Sequence, residues 1–124
     1  MNKKIKNWWE QAASDLAAAQ SSLKEKKFDW ACFQSQQAVE KALKSIYLAE
    51  YHELKKVHDL MFLGRKLQLP EGLIQFCIKL NKVYIETRYP DYEEEIPAKR
   101  FLQSDAEDAI KMAEEILQWL QKKL

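Results

Sequence analysis

The chain has very little glycine and proline, with two glycines and three prolines among its 124 residues. β-Hairpins and β-sandwiches need these residues at many turns, so their scarcity argues against an all-β fold and favours long helices. Gly64 and Gly72 form neither a G-x-G-x-x-G nor a Walker pattern, which excludes the common glycine-rich phosphate loops. A Ser/His/Asp signature and an HExxH motif are missing as well.

Long apolar runs, a charge excess and metal-binding cysteine spacing are also lacking. The longest apolar runs are far shorter than the roughly 18 residues of a membrane span, and the basic start is not followed by the apolar stretch of a signal peptide. A net charge of +1 means that any nucleic-acid site must be a local patch. Cys32 and Cys77 form no CxxC or Cys/His pattern, so we expect buried, inert thiols. We therefore expect a cytoplasmic protein with no membrane association, metal or cofactor.

The apolar residues recur every three or four positions, which predicts helices. We expect helices over 3–26, from Trp30 to near Glu50 with Asp29 as N-cap, around Leu60 to Leu67, from Glu71 to about Thr87 (burying Leu73, Phe76, Cys77, Leu80 and Tyr84), and from the capping box Ser104-Asp105-Ala106-Glu107 to the C-terminus. The second helix carries two apolar stripes, so it should be central. The fold class predicted is all-α: an up-and-down four-helix bundle with one additional short helix, forming a single domain over residues 1–124.

A polar stripe crosses the second helix. Gln37, Glu40 and Lys44 are three and four residues apart, so they share one helix face. The simplest interpretation is a solvated face with a Glu40–Lys44 ion pair. However, apolar stripes flank this line on both sides, which favours a face turned toward a groove or a partner.

The segment Arg88-Tyr89-Pro90-Asp91 follows the fourth helix and opens a long connection to Gln103. Pro90 moves Tyr89 out of helical conformation, so Arg88 lies where the backbone leaves the helix. Its planar guanidinium suits carboxylate or phosphate. The alternative is a structural arginine that complements the helix dipole and pairs with Asp91 or Glu40. The acidic run Asp91 to Glu95 lacks the spacing of a calcium loop, and a solvated loop is expected there.

These residues resemble the HEPN domain family, named for nucleotide binding in higher eukaryotes and prokaryotes, in its small stand-alone prokaryotic type. The resemblance covers nearly the whole chain and depends most on Gln36-Gln37-Ala38-Val39-Glu40-Lys41-Ala42-Leu43-Lys44, His58-Asp59-Leu60 and Arg88-Tyr89-Pro90-Asp91. It implies a helical bundle, a homodimer, and a minimal nucleotidyltransferase as partner. In several branches it also implies metal-independent endoribonuclease activity, from an arginine followed four to six residues later by a histidine.

The chain departs from that catalytic pattern. Arg88 matches the arginine, but no histidine follows it, and His58 matches the family's separate structural histidine. With this departure, the resemblance implies a non-catalytic module that binds a nucleotide, RNA or protein partner in a toxin–antitoxin-like pair with a nucleotidyltransferase. The residues expected at its ligand site are Arg88 on phosphate, Gln37, Glu40 and Lys44 along the same groove, Asp91 orienting Arg88, and Tyr89.

Two alternatives stay open. One is an endoribonuclease with a degenerate active site, in which Tyr89, Tyr92 or Glu93 carries the proton. A tyrosine is a poor general base near neutral pH, which disfavours this option. The other is a dimerising structural adaptor whose polar stripe gives interface specificity.

Overall fold

The computed structural model describes residues 2–91 and 93–124. Within them the chain forms six helices: α1 Lys3–Lys24, α2 Phe28–Tyr51, α3 Leu60–Lys66, α4 Glu71–Arg88, α5 Pro97–Arg100 and α6 Gln103–Gln121. The four long helices build the predicted all-α bundle. None of the helices in these two ranges is long and apolar enough to cross a membrane.

Helix α2 is the centre of the bundle, as predicted, and packs against each of the other five helices. Its alanines Ala31, Ala38 and Ala42 are fully buried, as are Ala12 and Ala19 of α1. Small side chains at these positions let neighbouring helix backbones approach closely. Two polar contacts add to this packing: the Ser45 hydroxyl donates to the Ile5 carbonyl at 2.8 Å, and Lys41 pairs with Asp15.

The predicted start of α2 was wrong. The helix begins at Phe28 with Lys27 as N-cap, and Lys27 forms no side-chain capping bond. Lys26 adopts a left-handed conformation with φ of 60°, and the Lys27 N–H donates back to the Ser22 carbonyl at 2.8 Å. This turn ends α1 at Lys24, two residues before the expected end, so the three-residue connection is residues 25–27 and α2 starts correspondingly earlier. Asp29 thus lies inside the first turn, where its charge complements the helix dipole.

The segment that leads into α6 also differs from the prediction. Helix α6 starts at Gln103 with Leu102 as N-cap, not at Ser104, and the Asp105 carboxylate accepts the Leu102 N–H at 2.8 Å. Short helix α5 was not predicted. Pro97 starts it with a backbone angle already suited to a helix. The buried ring of Phe101 then anchors the chain directly before α6.

Helix α4 packs against the bundle through its buried residues, and its C-terminal end carries Arg88. Cys77 and Leu80 are buried as predicted, and Ile74 and Glu86 are buried as well. The other residues expected in this core, namely Leu73, Phe76 and Tyr84, are only half-buried. The C-terminal end of α4 is held by Arg100, whose guanidinium pairs with the Glu86 carboxylate at 2.8 Å. This ion pair brings the long connection back beside Arg88.

Candidate functional site

The polar stripe of α2 is mostly buried. Glu40 and Lys44 are only 6% and 7% exposed, whereas Gln37 is half-buried. The Glu40 carboxylate contacts three side chains: Gln36 Nε2 at 3.2 Å, Lys44 Nζ at 3.1 Å and His58 Nδ1 at 3.0 Å. A buried carboxylate needs this number of donors to offset its lost hydration. The Glu40 carboxylate therefore makes its contacts with neighbouring side chains inside the protein and is largely shielded from solvent.

His58 connects the buried Glu40 carboxylate to the surface of the protein. Its side chain is 67% exposed although the Glu40 carboxylate beside it is buried. Because a carboxylate only accepts hydrogen bonds, Nδ1 donates to Glu40 and Nε2 is left as the imidazole's second polar atom. Nε2 is thus the ring nitrogen that Glu40 does not engage, on a side chain that is mostly exposed.

The position of His58 follows from the start of α3. The neighbouring Asp59 caps this helix and accepts the backbone N–H groups of Met61 and Phe62 at 3.0 and 3.3 Å. Asn81 of α4 donates to the Asp59 carboxylate at 2.8 Å and accepts the Leu60 N–H at 2.8 Å. These contacts join α3 to α4 and bring His58 over the middle of α4.

Aromatic rings continue the arrangement from His58 to Arg88. The imidazole stacks on Tyr84 with ring centroids 6.1 Å apart and planes 15° from parallel. Tyr84 lies one helical turn before Arg88, and its hydroxyl accepts a hydrogen bond from Arg88 Nη1. The Arg88 guanidinium carbon lies 4.9 Å from the Tyr84 ring centroid and 5.9 Å from the centroids of Phe33 and Tyr89. We call this group of Phe33, Tyr84, Arg88 and Tyr89 the Arg88 surface; Arg88 and Tyr89 are exposed, and Phe33 and Tyr84 are half-buried.

The polar stripe and the Arg88 segment thus meet through two intermediates, His58 and Tyr84. Gln37 lies at the far end of the arrangement and donates to Gln36 Oε1 at 2.7 Å. Asp91 is exposed, and within residues 2–91 and 93–124 neither it nor any other carboxylate lies within ion-pairing distance of Arg88. Arg88 is held by Tyr84, and not by the expected partners Asp91 or Glu40. The ligand-binding roles of the six residues stay predictions.

Sequence reasoning missed several members of this site. His58 and Tyr84 were assigned structural positions, and Asp29 and Trp30 were assigned to the start of a helix. The structure places Asp29, Trp30, Phe33, Thr87 and Arg88 around one open cavity of about 420 Å³. The four-residue spacing of Tyr84 and Arg88 was a readable signal. Local residue spacing could not predict that the first turns of α2 lie close to the C-terminal end of α4.

The structure also bears on the two cysteines, on metal binding and on the suggested proton carrier Tyr92. The predicted burial of Cys32 and Cys77 is confirmed. Burial away from water raises the pKa of each thiol to about 12, so both are neutral at neutral pH. Within the described part of the chain, no three histidine, cysteine or acidic side chains cluster as metal ligands would. Tyr92, one suggested proton carrier, lies outside the described residues.

Several solved structures are similar to this chain. A Thermus thermophilus protein has a TM-score of 0.92 and 35% identity, with 99% of this chain and 100% of that chain covered. For an archaeal HEPN homologue the TM-score is 0.84 and the identity 32%, with 98% of each chain covered. For a HEPN domain protein of Thermotoga maritima they are 0.75 and 25%, with 94% of this chain and 95% of that chain covered. Comparison with curated proteins gave no match.

The HEPN domain family model matches residues 5–124. That range includes all of the stripe, His58 and the Arg88 surface. Since the match runs over nearly the whole chain and two similar structures exceed 30% identity over 98% or more of it, the resemblance seen in the sequence is confirmed, and this chain belongs to the HEPN domain family.

Proposed function

We propose that this HEPN chain is a non-catalytic module that binds a nucleotide or RNA at the Arg88 surface. The observation that carries the proposal is the exposed Arg88 guanidinium, surrounded by aromatic rings and without a carboxylate partner among the residues that the structure describes. Guanidinium groups bind phosphate through two parallel hydrogen bonds. Aromatic rings stack on bases, each contact contributing about 1–3 kcal/mol. Together these are the two chemistries of a nucleotide.

The buried stripe supports this surface from behind. Glu40, neutralised by Lys44, fixes His58; His58 stacks on Tyr84, and Tyr84 holds Arg88. A preorganised guanidinium loses less side-chain entropy on binding. In this proposal Glu40 and Lys44 act through His58, while Gln37 extends the support through Gln36. Tyr89 is part of the surface and Asp91 borders it, where Asp91 can orient Arg88 once ligand is bound.

A homodimer and a nucleotidyltransferase partner belong to the same proposal. Ile78 and Ile85 are exposed apolar residues of α4 next to the Arg88 surface, and Tyr89 of that surface is exposed as well. Covering them with a second copy would bring two Arg88 surfaces close together. The cytoplasm suits these partners and keeps both thiols reduced.

The test is calorimetric titration with a short single-stranded RNA that contains all four bases. We expect saturable binding by the wild type and a loss of at least about 10-fold for Arg88→Ala, since a charge-assisted pair is removed. Arg88→Lys should recover only part of it because the planar fork is lost. Arg65→Ala is the matched control: it removes the same charge from an exposed arginine paired with Glu71 at 3.4 Å. Equal binding by wild type and Arg88→Ala contradicts the proposal.

A second function, metal-independent RNA cleavage, has one observation in its favour. The Glu40 carboxylate engages His58 Nδ1 and leaves Nε2 on an exposed side chain that stacks on Tyr84, an arrangement that matches a carboxylate-supported general base. Nε2 would take the proton of a 2′-hydroxyl while that oxygen attacks phosphorus, and would return it to the 5′-oxygen as the bond from phosphorus to that oxygen breaks. The products would be a 2′,3′-cyclic phosphate and a 5′-hydroxyl. Incubation of labelled RNA with chelator decides the matter. Cleavage that is lost in both His58→Ala and Arg88→Ala would replace the non-catalytic proposal.

A further inference from the structure

A cavity of about 420 Å³ lies between the first turns of α2 and the end of α4. Asp29, Trp30, Phe33, Thr87 and Arg88 line it, and its volume is within the range of about 300–1,000 Å³ typical of small-ligand sites. Of these five residues, Phe33 and Arg88 belong to the Arg88 surface of the proposed function, whereas Asp29, Trp30 and Thr87 have no role in it. The cavity therefore adds a region beside the phosphate-binding arginine whose own chemistry is unassigned.

The aromatic part of the cavity suits a planar ligand. Trp30 is 55% exposed, unusual for the largest apolar side chain. It meets Phe33 edge to face, with centroids 6.0 Å apart and planes 83° from parallel. In this T-shaped pair one ring presents its edge to the other, so a face of Trp30 remains available. A base stacked there would have its phosphate on the side of Arg88.

Asp29 supplies the polar part. Asp29 is half-buried, and within the described ranges its carboxylate takes part in no hydrogen bond or ion pair with another side chain. A carboxylate only accepts, and its two oxygens match a ligand edge with two neighbouring donors. Among the RNA bases only guanine presents such an edge, with N1–H beside the 2-amino group. Adenine presents an acceptor, N1, beside one amino group, and the pyrimidines each offer a single donor group.

We propose that this cavity is a base-recognition subsite that selects guanine, with Trp30 stacking on the base and Asp29 accepting from its N1–H and 2-amino group. The proposal rests on the proposed function, because Arg88 binds the phosphate of the same nucleotide. It assigns Asp29 and Trp30 as specificity residues.

Titration with the nucleoside 5′-monophosphates tests it on the ligand side. We expect guanosine monophosphate to bind about 10-fold more tightly than adenosine monophosphate, the discrimination of one good bidentate pair. Inosine monophosphate keeps N1–H and lacks the 2-amino group, so its affinity should fall between the two. These comparisons use the wild-type protein alone and do not depend on whether any variant folds. Equal affinity for the guanine and adenine nucleotides overturns the subsite.

Variants then assign the residues. Asp29→Asn should bring the guanine and adenine nucleotides to within about 2-fold, because one carboxylate acceptor becomes a donor. Trp30→Ala should weaken every nucleotide, whereas Trp30→Phe keeps a stacking ring and should weaken them less. Asp108→Asn, at an exposed position of α6, is the charge-matched control. A guanine preference that survives in Asp29→Asn contradicts the assignment.

The two proposals fail in different ways. Nucleotides that bind in an Arg88-dependent manner without base preference leave the proposed function standing and remove the subsite. Absence of saturable binding by any nucleotide or RNA removes both.

Discussion

The buried Glu40–Lys44 pair gives a sharp test of the arrangement behind the Arg88 surface. Both side chains are about 8% exposed, and their charged atoms lie 3.1 Å apart. Lys44→Met keeps the length of the side chain but removes its charge, which leaves the Glu40 carboxylate with Gln36 and His58 as partners. Removing one member of a buried pair costs about 3–5 kcal/mol. Because two partners remain, we expect the lower end, about 3 kcal/mol of unfolding free energy.

Urea unfolding followed by circular dichroism measures this loss. With a slope of about 1–3 kcal/mol per molar urea, the midpoint should fall by about 1–3 M at unchanged slope. The double variant Glu40→Gln with Lys44→Met removes both charges and should regain most of the loss, since a neutral pair no longer leaves a charge buried.

Lys6→Met is the matched control. Lys6 and Glu10 have the same four-residue spacing, but their side chains are 63% and 62% exposed and their charged atoms 3.8 Å apart. An exposed pair of this kind contributes about 0.3–0.5 kcal/mol. If Lys44→Met shifts the midpoint no more than Lys6→Met does, the pair is not an organising element and the reasoning is refuted.

Three further predictions concern the rest of the bundle. Cys32 and Cys77 should resist alkylation in the folded protein between pH 9 and 11 and react after unfolding, and rapid labelling of the native protein would contradict this. Because the pKa of about 12 in the folded protein exceeds the usual 9.0, the free energy of unfolding should also fall as pH rises above 9. Asp59→Ala should cost about 1–2 kcal/mol of unfolding free energy through the lost N-cap of α3, and an unchanged urea midpoint would count against the cap. Gly72→Ala should stabilise α4 by about 0.5–1 kcal/mol, because a Cβ at this position meets no atom within 4 Å. At Gly64 a Cβ would lie 3.1 Å from a packed methyl group, so an equal gain in Gly64→Ala would contradict this reasoning.

Most of the fold was predictable because the four long helices carry strong periodic patterns. Helix α2 shows why: its two apolar stripes imply contact on several sides, and it packs against all the other helices. The missed features are local ones decided by tertiary contacts. Short helix α5 and the start of α6 depend on the burial of Phe101 and on the Arg100–Glu86 ion pair, neither of which a local pattern encodes.

The candidate site was predictable in part, for a similar reason. Four-residue spacing brought out the Glu40–Lys44 pair, and Pro90 marked Arg88 as a helix-terminal residue. The contact between His58 and Glu40 joins residues 18 positions apart, and the approach of Trp30 to Arg88 joins different helices. Such pairings follow from helix packing and could be seen only in the structure.

The central claim is that nucleotides bind at the Arg88 surface, and the indole N–H signals of the four tryptophans test it most directly. Trp30 lines the cavity beside Arg88, whereas Trp8 and Trp9 border other grooves of the bundle and Trp119 lies beside Lys123. In a ¹H–¹⁵N correlation spectrum titrated with guanosine monophosphate, the Trp30 signal, assigned with Trp30→Phe, should move saturably. The other three should stay in place, and Arg88→Ala should abolish the shift. Saturable movement of another indole with Trp30 unmoved, or no movement of any, would contradict the account.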